Sequence, residues 1–396
     1  MPHADALFRS LQLTEARARF ELLDVTSYDV RLDLASDDAT FGSVTTIRFE
    51  SRGGETFLDL KPVSVRSIRL NGTDLDVDLL RSGRVPLHTA SGSNELVVDA
   101  VMRFRNDGEG LHAHVDPADG KRYVYGMSFM DAAPSIFACF DQPDLKAPYT
   151  LHVTAPADWT VIGNAPGEQV ERGAETAEWE FPATQPLSTY FVTLVAGPYH
   201  LIRDEHDGIP LGLSARQSIA HALEADADEL FTMTKQCFDE FHRLFGIRYP
   251  FGDYHQAFVP EFNAGAMENP GCVTFRDPLV FTSKVHPRGA DPAGHQPSRT
   301  RWRTSGSATS PPRSGGTTSG STSPSPSTWA TGSPPTSPST TTRGRTTPTR
   351  AASGAWSPTR GPAPTRSPAT ARSTRPRRCR TSTASRTPRA RASCGS

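Results

Sequence analysis

Gly265-Ala266-Met267-Glu268-Asn269-Pro270-Gly271 is the stretch on which the reading of this chain turns. Two small residues stand close before a carboxylate, so a peptide can lie against the backbone there and pair with it as an added strand. A fixed glutamate beside such a strand suits a ligand's terminal ammonium, through a charge-assisted hydrogen bond. The candidate substrate-binding residues are Gly265, Ala266, Met267, Glu268 and Asn269. On residue types alone, the same string also reads as a small-residue surface loop with an ordinary glutamate.

Immediately upstream, His255 to Val259 predicts a short strand leading into Pro260-Glu261-Phe262-Asn263-Ala264. Ala215 to Phe245 predicts a helix with Leu230, Cys237, Phe238, Phe241, Leu244 and Phe245 on one stripe. Further upstream the period falls to two. Tyr28 to Leu34, Thr46 to Phe49 and Val65 to Leu70 alternate in this way, the last ending in an Asn71-Gly72 turn. Asn94 to Phe104, Thr150 to Thr154, Thr160 to Gly163 and Tyr190 to Leu201 continue the series. Met1 to Leu23 reads as an amphipathic helix through Leu11, Leu13, Ala16 and Phe20. Many short strands separated by turns predict a large antiparallel sheet or sandwich up to about residue 200, where a second domain begins.

Composition breaks sharply after Val285. From His286 to Ser396 there is no Leu, Ile, Val, Phe, Tyr, Met or Asn; 18 Arg face one acid, Asp291, so this part carries +17 and residues 1–285 carry −18. Such a segment cannot bury enough apolar surface to offset the entropy of ordering, and disorder is expected. At face value its arginines suit nucleic acid or an anionic surface. With only Trp302, Trp329 and Trp356 as aromatics and no folded reader, no nucleic-acid partner is expected. Cys139, Cys237, Cys272, Cys379 and Cys394 lack paired spacing, which fits free thiols in a reducing compartment. Met1 to Arg19 has no apolar run for a signal peptide, and no stretch is long enough to span a bilayer. The expectation is a cytoplasmic monomer without a membrane partner.

The Gly265–Asn269 string resembles the exopeptidase motif of the gluzincin zinc aminopeptidases, the aminopeptidase N family. Tyr249-Pro250-Phe251-Gly252, Val259-Pro260-Glu261-Phe262 and Val273-Thr274-Phe275-Arg276-Asp277 resemble its surroundings. Phe137-Ala138-Cys139-Phe140-Asp141-Gln142-Pro143-Asp144-Leu145-Lys146-Ala147 and Ser188 to His200 resemble the family's β-rich domain. The likeness runs in order from about residue 12 to 285. It implies a mostly β N-terminal domain (1–200, a large antiparallel saddle or sandwich). The incomplete start of an α/β thermolysin-like catalytic domain follows (201–285), then a disordered low-complexity tail (286–396). It also implies a metallo-aminopeptidase that releases N-terminal amino acids from peptides by zinc-activated water. Glu268 would hold the α-amine and the Gly265-Ala266 backbone would align the peptide. One departure stands upstream. Where the family has Gln and, two residues later, a Glu that helps hold the amine, this chain has Met127 and Phe129; Asp131 is a nearby carboxylate that could substitute.

The family's zinc ligands come from His-Glu-x-x-His on one helix and a Glu on the next. No His in this chain is followed by Glu-x-x-His. His112 and His114 read as exposed strand histidines rather than a metal site, since no third ligand is apparent. The missing motif is legible in a neighbouring frame. With the synonymous codons CGC ACG AGA TGG CGC ACC chosen for Arg299 to Thr304, a start on the last base of the first codon permits His-Glu-Met-Ala-His. The same shift permits Gln-Trp-Phe-Gly-Asp-Leu over Ser305 to Ser310. Over Gly315 to Thr328 it permits Trp-Trp-Asp-Asp-Leu-Trp-Leu-Asn-Glu-Ser-Phe-Ala-Glu-Tyr, with the third ligand Glu falling at the codon that overlaps Ser323. The metal motif is thus lost from frame around Thr300 to Ser323, after a slip between about Lys284 and Arg299. As written, no catalytic or metal residue is in frame. The chain is expected to be inactive itself, or a non-catalytic peptide-binding remnant. Its piece after about residue 200 is expected to be poorly stable, because the apolar faces of Ala215–Phe245 and Tyr254–Val259 lose partners.

Overall fold

The computed structural model describes residues 9–280; the tail, Cys379, Cys394 and the shifted-frame region lie outside the described residues. The chain opens with helix α1 (Leu13–Leu22) and strand β1 (Leu23–Asp33). In β1 the apolar–polar alternation buries one face: Tyr28, Val30 and Leu32 are at most 3% exposed. Next come β2 (Thr40–Asp59), β3 (Ser64–Leu70), β4 (Thr73–Leu75), β5 (Arg84–Arg103) and β6 (Gly110–Val115). These are followed by β7 (Arg122–Met127), β8 (Tyr149–Pro156), β9 (Thr160–Gly163), β10 (Glu168–Arg172), β11 (Thr176–Phe181) and β12 (Leu194–Gly197).

An eight-stranded sheet has the order β10-β11-β8-β1-β2-β5-β3-β4, and a four-stranded sheet the order β6-β7-β12-β9. Their pairs are antiparallel except β1 with β8, which run parallel. The spine is the pair β2 and β5, 20 residues each, in register from Thr40↔Arg103 to Asp59↔Arg84. Asn71 and Gly72 have φ of 52° and 80°, as a two-residue hairpin turn of this hand requires, and they join β3 to β4. One core fills the space between the sheets, with Tyr28 stacked on Tyr149 at 4.5 Å and Phe49 edge-on to Phe140 at 5.3 Å.

The second part holds β13 (His200–His206), β14 (Ile209–Ala215), helix α2 (Ala220–Phe245), β15 (Tyr254–Val259), β16 (Ala266–Met267) and β17 (Cys272–Arg276). Its five-stranded sheet has the order β13-β14-β15-β17-β16. The three middle strands are parallel, and the outer two pair antiparallel. Helix α2 lies on β13 and β14 and forms a second core through Leu223, Leu230, Phe231 and Phe238. Gly246, at φ 65°, ends it in the left-handed conformation. No helix among the described residues is long and apolar enough to cross a membrane.

Several sequence expectations are corrected. α1 is not held by an apolar stripe: Leu13 and Phe20 are exposed, and the buried residue is Arg19, 2% exposed. Its guanidinium reaches Asp59 Oδ2 at 2.7 Å and Gln142 Oε1 at 3.0 Å, so a polar anchor docks the helix. Ala215 closes β14, and the long helix begins only at Ala220. Leu244 and Phe245, placed on the apolar stripe, are exposed at the helix end together with Ile247. Tyr190 to Leu201 is a short 3-10 turn, β12 and the start of β13, not one strand. Every residue of β15 is buried between β14 and β17, so that strand keeps its partners within the described residues.

Candidate functional site

Ala266 and Met267 form β16, the outermost strand of the five-stranded sheet among the described residues. They pair with Phe275 and Thr274 of β17 on one side. Just before them, the exposed Gly265 accepts a hydrogen bond at its carbonyl from the Arg276 N–H at 3.2 Å. Side chains alternate across a strand. Ala266 accordingly enters the α2 core and Met267 the large core of the β-rich part, each 3% exposed. The strand is therefore pinned by its side chains on both faces while its outer main-chain edge stays without a strand partner among the described residues. Glu268 follows, half-buried; Asn269 is buried, its Nδ2 3.5 Å from Thr274 Oγ1. Gly265–Met267 thus form the edge, and the Glu268 carboxylate and the buried Asn269 follow directly after it.

The β-rich part meets this segment at three places. Before it, Glu261 has φ 52°, and its Oε2 lies 3.4 Å from His112 Nε2 and 3.4 Å from His114 Nδ1, both on β6. After it, Asn164 Nδ2 donates to the Pro270 carbonyl at 2.8 Å. Beside it stands Tyr190, whose pKa is raised by burial and then by the Glu268 charge. The Tyr190 ring packs edge-on against Phe129 at 5.8 Å. The position at which the family resemblance implies a carboxylate, Phe129, thus forms an aromatic wall with Tyr190, which lies close enough to Glu268 to feel its charge. Asp131, the expected substitute, is largely exposed and engaged by Lys61, whose Nζ lies 2.8 Å from its carbonyl and 3.3 Å from its carboxylate. Sequence reading missed Tyr190 and Asn164 as neighbours of the segment, and read the two histidines as exposed, because none carries a periodicity or a spacing that marks its partner.

The histidine expectation is corrected: His112 is fully buried and His114 mostly so, with Glu261 as the unforeseen third group. The trio still does not fit a metal. His112 Nδ1 accepts the Gly108 N–H at 3.0 Å, which places the ring proton on Nε2, the atom facing Glu261. Burial lowers the His112 pKa, which favours the neutral ring. Among the described residues no group of three or more His, Cys, Asp or Glu could hold a metal ion. Zinc therefore has no fitting ligand set within residues 9–280.

A β-rich platform feeding a mixed sheet whose edge carries this segment belongs to a known class of peptidase. The M1 peptidase N-terminal domain family matches residues 25–191, and the M1 peptidase domain family matches residues 230–288. This chain belongs to the M1 metallopeptidase family. It is similar to aminopeptidase N of Streptomyces lividans, 45% identical over 286 residues, covering 70% of this chain and 33% of that protein. A probable aminopeptidase 1 of Sulfurisphaera tokodaii is 26% identical over 270 residues, covering 66% and 32%. Glutamyl aminopeptidase of Bos taurus is 32% identical over 143 residues, covering 36% and 14%. The chain spans about a third of the length of the first two relatives.

Proposed function

We propose that this chain is the peptide-gripping part of a zinc aminopeptidase of the aminopeptidase N type, which releases N-terminal residues from peptides. What supports the reading is the placement of Glu268 at the end of the open sheet edge Gly265–Met267, within sequence that matches the family. A peptide laid along that edge pairs with the main chain as an added strand, and its α-ammonium meets the Glu268 carboxylate. In the intact family enzyme, zinc supplies the activated water. The residues described bind and orient; none holds the metal. Hydrolysis would belong to ligands that the neighbouring-frame reading supplies around Thr300 to Ser323. The buried free thiols Cys139 and Cys272 fit a cytoplasmic protein. The proposed partners are peptides alone, with the chain a monomer.

The second reading, a binding remnant without turnover, is favoured by that same lack of in-frame ligands. A peptidase assay on the purified chain with and without zinc separates the two. Zinc-dependent release of N-terminal residues sinks the remnant reading; binding of free-amine peptides without release supports it. Mass spectrometry of the native protein adds an independent test. A peptide containing His-Glu-Met-Ala-His shows that the product continues in the other frame, whereas peptides of the arginine-rich tail show that it does not.

A further inference from the structure

We propose that Asn164 is a positioning residue for peptide recognition: its buried carboxamide sets the spacing between the Glu268 segment and Tyr190, and so aims both at one ligand terminus. The proposal rests on the reading of Glu268 as the amine holder.

Asn164 follows β9 and is 8% exposed. Its Nδ2 donates to the carbonyls of Phe191 and Pro270, each at 2.8 Å, and its Oδ1 accepts the Thr193 N–H at 2.8 Å. Both amide hydrogens and one acceptor site are used, so the side chain has a single orientation. It joins two segments remote in sequence. Phe191 adjoins Tyr190, and Pro270 lies two residues after Glu268. Pro270 has no N–H, so its carbonyl is its only main-chain handle. The joint is also closed from the other side: a Cβ on Gly271, at φ 78°, would lie 2.3 Å from the Asn164 carbonyl oxygen.

Chemistry selects asparagine at this point. Aspartate would turn acceptors toward two buried carbonyls, and alanine would leave three main-chain groups unpaired. Neither change touches a ligand. A charge-assisted hydrogen bond depends steeply on distance and angle, so loosening the joint acts on amine recognition through Glu268 and Tyr190.

The test uses the full chain and two versions of one tripeptide, with a free or an acetylated N-terminus, titrated calorimetrically. Hydrogen exchange of residues 265–271 is followed in parallel. In Asn164→Asp the preference for the free amine is expected to fall about tenfold, and exchange at Met267–Asn269 to rise by at least as much. Ser51→Ala, which removes a buried hydroxyl pair with Thr89 in the eight-stranded sheet, should change neither. A folded Asn164→Asp chain with the parent's preference and exchange overturns the proposal. If Asn164→Asp does not fold, Gly271→Ala presses on the same joint and must give the same two changes. If the parent binds both peptides equally, the reading of Glu268 falls. Exchange then decides only whether Asn164 holds the segment: faster exchange confined to 265–271 sustains that hold while the recognition role falls with Glu268, and unchanged exchange ends both.

Discussion

The Arg216 guanidinium lies 2.6 Å from the Asp116 carboxylate, and on its other side 2.8 Å from Asp277. Asp116 follows β6 of the β-rich part and Asp277 follows β17, so one cation ties the two parts together just beyond the peptide edge. Burial pushes the Asp116 carboxyl up, but the Ser218 hydroxyl, the Ala118 N–H and Arg216 outweigh it and hold it below the usual range. Arg216→Met leaves two buried carboxylates without their cation. It should lower stability by about 3–5 kcal/mol in urea unfolding, with the loss concentrated in the five-stranded sheet. A loss under about 1 kcal/mol would show the two parts to be held by their cores alone.

Glu268→Gln keeps the shape of the side chain and removes its charge. Affinity for a free-amine peptide should fall about 10- to 100-fold, while an acetylated peptide is unaffected. Calorimetric titration reads both. Equal losses for the two peptides would mean that Glu268 supports the fold rather than the amine.

Asp253 gives the molecule a pH-dependent weakness. Its Oδ1 is buried without a hydrogen-bond partner, and burial raises its pKa from 3.8 to about 6. The folded state thus binds this proton more tightly than the unfolded state does. The resulting destabilisation is absent below about pH 4 and fully present above about pH 7. Asp253→Asn should gain on the order of 2–3 kcal/mol at pH 8 and almost nothing at pH 4. A gain of equal size at both pH values would contradict the assignment.

Gly212 on β14 faces His255 on β15. A Cβ there would stand 2.1 Å from His255 Nδ1, while the other ring nitrogen lies 2.9 Å from Ser214 Oγ. Burial drives the His255 pKa down to about 3, so the ring is neutral and cannot escape to solvent. Gly212→Ala should destabilise by about 3 kcal/mol, seen as a lower midpoint in thermal unfolding. Gly72→Ala offers the contrast: nothing lies within 4 Å of its Cβ, and only the φ of 80° is strained.

What sequence reading reached, and what it missed, follows from range. Tyr28, Val30, Leu32 and Leu34 alternate, and all four are buried. Asn71-Gly72 turns where local chemistry says it must. Gly265 to Asn269 was legible as a string, and its edge position accords with strand addition. Arg19 was not legible: a helix with exposed Leu13 and Phe20 makes sense only once Asp59 and Gln142 are in place, far along the chain. The same holds for Asn164 with Pro270 and for Glu261 with His112 and His114. Each is a polar pairing whose partners sit on different elements, and polar pairs leave no period behind. Leu244 and Phe245 fail for a different reason. They continue a helical stripe past the sheet that the stripe serves.

Ala266 and Met267, adjacent residues sunk into opposite cores, have a thermodynamic consequence for any guest. A strand that must be ordered upon binding makes its own loss of conformational freedom part of the binding equilibrium. Here that loss is incurred during folding, when the two cores close on the strand from either side. An arriving peptide surrenders only its own freedom, so short peptides, which have little to surrender, gain most from such an edge.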